Sequence, residues 1–119
     1  MSIQNKQNSD IPIIVRLYDF YKSLSLVITS FPKIKRYTLG QKLDNVTLEI
    51  FEIVFSIPQS KEKIILLKKI SVKLDLLKIL LRLSKDTNAM NNKKYIELQS
   101  ILQEICKMIG GWIRYSKNS

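Results

Sequence analysis

FPKIKRYTLGQ, residues 31–41, is a basic corner marked by a proline, and it separates two amphipathic segments of the chain. Pro32 disfavours helical backbone at the residue before it, so the first helix is expected to end at Phe31. Thr38 is followed three residues later by Gln41, which is the spacing of a capping box and predicts the start of a second helix. On both sides of the corner, apolar residues recur every three or four positions, as they do in helices that bury one face.

Four helices are predicted, over about residues 11–30, 39–57, 58–86 and 92–115. Ser56 and Gln59 repeat the capping-box spacing around Pro58, which is tolerated only in a first turn, so they separate the second helix from the third. Residues 1–9 and 116–119 are expected to be flexible tails. Four helices with short connections predict one all-α domain over residues 1–119, an antiparallel up-down-up-down four-helix bundle.

The third helix carries more apolar surface than a single bundle can bury. At about 100° per residue, its apolar side chains form two stripes, Ile65, Val72, Leu76, Ile79 and Leu83 on one side and Leu66, Leu67, Ile70, Leu74, Leu77 and Leu81 on another. One stripe can fill the bundle, and the other either contacts both neighbouring helices or forms a subunit interface. We favour oligomerisation, and we assign the interface to most of the second stripe and two phenylalanines of the second helix: Leu66, Ile70, Leu74, Leu77, Leu81, Phe51 and Phe55.

Positive charge dominates the chain, with 20 Lys and Arg against 10 Asp and Glu and a formal net charge of +10. Such an excess attracts polyanions, and the residues predicted to bind nucleic acid cluster at the corner and on the third helix: Lys33, Lys35, Arg36, Lys68, Lys78, Arg82 and Lys85. The alternative is that the lysines keep an apolar helix hydrated and that Arg36 bonds helix-end carbonyls. No base-reading motif is visible, so binding is expected to depend on salt and little on sequence.

The residues that enzymes of this size depend on are missing from the sequence. It contains no histidine and three glycines, which excludes histidine-based metal sites, catalytic triads and a glycine-rich phosphate loop. Neither catalysis nor a cofactor nor a metal is expected. Cys106 is the only cysteine and is interpreted as a small core residue. The longest charge-free stretch is far shorter than the roughly 20 apolar residues that span a bilayer, so we expect a cytoplasmic protein that does not bind membranes.

Two segments resemble a known family. The corner is similar to the junction between the first two helices of the accessory variability determinant (Avd) proteins of diversity-generating retroelements. The end of the predicted fourth helix is also similar to that family, at Lys94-Tyr95, Leu98, Ile101 and Met108-Ile109-Gly110-Gly111-Trp112-Ile113. Where the family has an acidic residue before the arginine of the corner, this chain has Lys35. The resemblance implies a ring-like homopentamer of four-helix protomers that binds a reverse transcriptase and template RNA or cDNA, in support of mutagenic retrohoming.

Two other functions stay open. A ring-forming structural protein of the ribosomal-RNA intervening-sequence type resembles the corner, but its second helix differs from Lys42-Leu43-Asp44-Asn45-Val46 here. A general polyanion-binding oligomer would need no polymerase. The run Gly110-Gly111-Trp112 has two interpretations as well: a helix that ends with Trp112 in the core, or a bared backbone that contacts a subunit or the polymerase.

Overall fold

A computed structural model describes residues 11–118, and within this range all regular structure is helical, with no β-strand. Helix α1 is Ile11–Thr29. Helix α2 is continuous but changes form, with an α-helical turn at Lys33–Lys35, a π-helical turn at Arg36–Gly40 and an α-helix over Gln41–Ser56. A 3-10 turn at Ile57–Gln59 precedes α3, Lys63–Asp86, and α4 is Asn92–Lys117. The tail predicted for residues 1–9 lies outside the described residues.

The four helices pack side by side, each against two neighbours, in the cyclic order α1, α2, α3, α4. Successive helices run in opposite directions. In the α1–α4 pair, Arg16 near the start of α1 bonds Glu104 in the middle of α4, whereas Val27 near the end of α1 lines one groove with Lys94 at the start of α4. The predicted four-helix bundle is therefore present in the protomer.

The core is aliphatic and aromatic, with Phe20, Phe31, Leu43 and Ile50 among its largest fully buried side chains. Among the described residues, the buried polar side chains are Thr47 and Ser84. Each donates its hydroxyl to a carbonyl four residues earlier in its own helix, over 2.8 Å to Leu43 O and 2.8 Å to Leu80 O. Both hydroxyls are therefore satisfied within their own helices.

The start of α2 differs from the prediction. The helix begins at Lys33 and not near residue 39. Proline is tolerated immediately before a helix, because its φ (here −54°) suits that position and because the backbone N–H that it lacks would have no partner in the first turn. Thr38 is not a cap. Its Oγ1 donates to Ile34 O over 3.1 Å from within the helix.

The start of α3 differs from the prediction as well, which placed it too early. Ser56 Oγ donates back to Ile53 O over 2.8 Å and so belongs to the end of α2. Pro58 lies in the short 3-10 turn, and the chain re-enters a helix only at Lys63, after Ser60 Oγ accepts a hydrogen bond from the Glu62 amide at 2.9 Å. The capping-box spacing marked a turn in this case, and not a helix start.

The connection between α3 and α4 agrees with the prediction. Asn88 has φ 64°, the left-handed conformation that ends many helices, and Ala89 N donates to Ser84 O over 2.7 Å. Asn91 then caps α4, because its Oδ1 accepts from Lys94 N at 2.8 Å. Helix α4 continues to Lys117, so Ser116 and Lys117 are helical and not part of a flexible tail.

Candidate nucleic-acid and subunit interfaces

The structure reverses the roles of the two apolar stripes of α3. Ile70, Leu74, Leu77 and Leu81 are buried inside the protomer, where α2 and α4 pack against this side of the helix. A side chain without accessible surface cannot contact another subunit, so the assignment of these four residues to an interface is wrong. Leu66 is partly buried against the same core.

The stripe that stays exposed is the other one, on the side of α3 opposite the core. We call it the outer stripe: Ile65, Val72, Leu76, Ile79 and Leu83, whose side chains are between 36% and 68% exposed. At about 100° per residue, these five positions fall within one narrow sector of the helix. A run of apolar side chains this long on one surface is typical of a contact with another molecule.

The two phenylalanines assigned to the interface differ in their surroundings. Phe51 is partly buried, and its ring meets Tyr21 edge-on with centroids 6.4 Å apart. Phe55 is 62% exposed and stays available for contacts. The Tyr21 hydroxyl also donates to Asp44 Oδ1 over 2.6 Å, and this bond is the largest cause of the raised pKa of Tyr21.

The four basic residues predicted on α3 fall into two pairs. Lys68 and Arg82 are exposed, and neither forms an ion pair with another residue of the described range. Lys78 and Lys85 lie towards α4 and have partners. Lys78 Nζ is 3.6 Å from Asp75 Oδ1, and Lys85 Nζ is 3.7 Å from Asp86 Oδ1 and 4.8 Å from the centre of the Tyr95 ring. Only the first pair is free to meet a phosphate without losing a contact.

Lys78 also approaches Cys106 on α4. The Cys106 thiol is half-buried, and its burial raises its pKa, while the nearby ammonium of Lys78 acts in the opposite direction. A thiol with a raised pKa is a poor nucleophile at neutral pH. The geometry thus agrees with a structural role for Cys106.

At the corner, Lys33 is exposed and Lys35 is partly exposed, and no ion pair joins either of them to a described residue. Arg36 is partly buried, and its Nη2 donates to Phe31 O at 3.4 Å. That contact is close to the alternative in which Arg36 holds the corner by bonding a carbonyl, here one that lies just after α1. Prediction from sequence overlooked Ile34, between Lys33 and Lys35, and Tyr37, which follows Arg36; their side chains are 77% and 62% exposed. The alternation of basic and apolar residues in KIKRY was the signal for them.

Other cations are neutralised by contacts between helices. Arg16 on α1 bonds Glu104 on α4 and lies 2.8 Å from Asp19 Oδ2. The bond to Glu104 is the largest cause of the raised pKa of Arg16. Lys73 Nζ lies 2.9 Å from Glu49 Oε1, and this hydrogen bond lowers the pKa of Glu49. These cations are less suited to binding a polyanion than Lys68 and Arg82.

The paired glycines lie within α4 and do not end it. A Cβ at Gly110 or Gly111 would meet only the Arg114 guanidinium, at 3.9 Å and 3.8 Å. Packing inside the protomer therefore does not require either glycine. Trp112 is partly buried and packs against the core, as the structural interpretation predicted.

Comparison with known families shows to which family the chain belongs. A family model described as bAvd-like matches residues 12–116, which takes in all four helices almost completely. The chain belongs to the bAvd-like family. The predicted membership in the Avd proteins of diversity-generating retroelements is confirmed. Neither the curated proteins nor the solved structures yield a significant match to it.

Two further properties of this Avd-like chain concern ligands and membranes. Within residues 11–118, no three carboxylate or thiol side chains come together in a way that could hold a metal ion. None of the helices in the same range combines the length and the apolar character needed to cross a membrane.

Proposed function

We propose that this chain is a non-catalytic accessory subunit of a diversity-generating retroelement. In this role it assembles into a ring of about five copies and binds the reverse transcriptase together with template RNA or cDNA, so that mutagenic retrohoming can proceed. The observation that carries the retroelement role is the family match over residues 12–116. The polymerase would perform the chemistry, and this chain would supply position and positive charge.

The outer stripe supports the assembly. A ring of more than two subunits needs two different surfaces on each protomer, because every subunit contacts its neighbours head to tail. The outer stripe on α3 offers one such surface. Leu48 and Phe55 on α2, which are 41% and 62% exposed, offer a second apolar surface on another helix.

The unpaired cations support binding of a nucleic acid. Lys68 and Arg82 lie on α3 beside the outer stripe, and Lys33 and Lys35 lie at the corner. A ring repeats each of these groups in every subunit, and repeated weak contacts add up to tight binding when one strand can reach several of them. Phosphate contacts of this kind release counterions, which makes the affinity depend on salt.

The test combines co-purification with a binding measurement. The tagged chain is expressed with the reverse transcriptase encoded beside it, and binding of the full chain to template RNA is then measured from 50 to 500 mM salt. We expect a stable complex with the polymerase. We also expect the double variant Lys68→Ala and Arg82→Ala to lower the slope of log affinity against log salt by about 1.5 to 2 for each subunit that contacts the strand, in line with the loss of two phosphate contacts per subunit.

The matched control removes two cations that already have partners, through Lys73→Ala and Lys94→Ala. Lys73 pairs with Glu49 at 2.9 Å and Lys94 with Glu97 at 3.6 Å, so the net charge falls equally while the slope should change less. Equal effects of the two double variants would contradict a specific role for Lys68 and Arg82. Failure to co-purify with the polymerase, combined with RNA binding, would favour a general polyanion-binding oligomer.

A further inference from the structure

The corner contains a small open pocket between α1 and the first turns of α2. Its cavity volume is about 300 Å³, at the lower end of the size range of pockets that bind small ligands. Its walls carry both apolar and polar groups: Ser25, Ile28, Arg36, Tyr37, Gly40, Gln41 and Asp44.

The pocket owes its shape to the backbone of α2. At Arg36–Gly40 the helix widens into a π-turn, in which hydrogen bonds span five residues in place of four. Gly40 brings bare backbone against α1, since a Cβ there would lie 2.9 Å from Ile28 Cγ2. Single π-turns within α-helices are rare and occur often at functional sites.

The polar groups of the pocket suit a nucleobase better than a phosphate. The Asp44 carboxylate forms part of the wall and would repel a phosphate, but it can accept a hydrogen bond from a base amino group. Arg36 and Gln41 add a guanidinium and an amide to the lining. These groups can bond the edge of a planar heterocycle.

The mouth of the pocket carries an aromatic ring and cations, which can contact the face of a base and the phosphates of a single strand. The Tyr37 ring lines the pocket and is 62% exposed, so it offers a face for stacking. Lys33 and Lys35 stand just before it in the chain, with their charges unpaired by described residues. An aromatic ring beside cations is the combination with which proteins bind unpaired strands.

We propose that the corner pocket binds one unpaired nucleobase of single-stranded RNA or DNA, stacked on Tyr37, with the neighbouring phosphates on Lys33 and Lys35. This inference rests on the proposed function and deepens it by naming an unpaired strand as the ligand. Charge alone would favour a duplex, which has more phosphates per unit length. Stacking on Tyr37 would add affinity only for bases that are free of a partner strand.

The experiment measures binding of the full chain to a 20-nucleotide single-stranded RNA and to the same strand in a duplex, at one low salt concentration. We expect Tyr37→Ala to weaken binding of the single strand by about 5- to 150-fold, the range that one stacked base contributes, and to change duplex binding by less than about twofold. Tyr37→Trp keeps a stacking face and should preserve the affinity. Tyr115→Ala removes another exposed tyrosine, at the far end of α4, and should change neither affinity.

A second measurement separates stacking from charge. Lys33→Ala with Lys35→Ala should weaken binding of both probes and lower the salt slope, whereas Tyr37→Ala should leave the slope unchanged. If the wild-type chain binds RNA but Tyr37→Ala affects both probes equally or neither, the pocket proposal is overturned and the proposed function stands. If the corner binds a protein partner and not a nucleobase, Tyr37→Ala should affect the binding of neither probe. If the wild-type chain binds neither probe, the nucleic-acid part of the proposed function fails, and the pocket fails with it.

Discussion

Single residues determine how closely the corner packs against α1, and Gly40 is the clearest case. Its backbone is ordinary helix, with φ −61° and ψ −44°, so glycine is not needed for its conformation. It is needed for space, since a Cβ would lie 2.9 Å from Ile28 Cγ2 and 3.6 Å from Phe31 Cδ2. The β-branched side chain of Ile28 cannot swing away freely, so α1 and α2 would have to move apart.

Gly40→Ala is therefore expected to lower the free energy of unfolding by about 1–3 kcal/mol, the usual cost of overpacking. Chemical denaturation of the purified variant measures this change. Gly111→Ala is the matched control, because its Cβ would make only an ordinary van der Waals contact with Arg114, at 3.8 Å, and it should raise stability by up to about 1 kcal/mol. A stable Gly40→Ala variant would show that the corner can shift without cost.

Sequence alone could not distinguish these glycines. Both interrupt a helical pattern, and both were predicted to lie in or beside a helix. What separates them is a residue on another helix, Ile28, which no local pattern connects to Gly40. The same limit applies to Arg36, whose contact with the Phe31 carbonyl depends on how the chain turns after Pro32.

At the scale of the element, α3 is distinguished by apolar side chains on two opposite sides. The periodicity of the sequence revealed both stripes, and it predicted correctly that one would be left over. The periodicity could not show which stripe would stay exposed, because that depends on where α2 and α4 lie around α3. The bundle itself was predictable, since amphipathic patterns extend over whole helices, whereas two of the predicted starts depended on capping-box spacings that served other purposes.

The two stripes should respond differently to mutation. Val72→Lys with Ile79→Lys places two charges on the outer stripe, and we expect it to reduce the assembly to single chains while the helical circular-dichroism spectrum is retained. Leu77→Ala, on the buried side, should instead lower the free energy of unfolding by about 2–5 kcal/mol. Light scattering and thermal unfolding report the two effects. An outer-stripe variant that unfolds, or a wild-type chain that is monomeric, would contradict this division.

At the scale of the whole molecule, positive charge and apolar surface respond to salt in opposite ways. Protomers with a formal charge of +10 repel one another, and salt screens this repulsion over a Debye length that shrinks to a few ångströms. Burial of the outer stripe does not depend on charge and is not weakened by salt. Attraction to a nucleic acid, in contrast, falls as salt rises.

We therefore expect the assembly to hold or to strengthen between 50 and 500 mM sodium chloride, while the affinity for RNA falls by about 1,000-fold or more. Sedimentation at both salt concentrations and RNA binding in the same buffers test the two trends together. Dissociation of the oligomer at high salt would mean that ion pairs, and not the outer stripe, hold the subunits together.

The way in which Thr47 and Ser84 turn their hydroxyls back onto their own helices has a consequence for the history of such proteins. Where helices meet inside the protomer through hydrocarbon side chains, one aliphatic residue can replace another of similar volume at small cost. Homologous chains can therefore drift far apart in residue identity while the bundle persists. Common ancestry would then stay detectable longer from the spacing of the apolar positions than from the identities of the residues that occupy them.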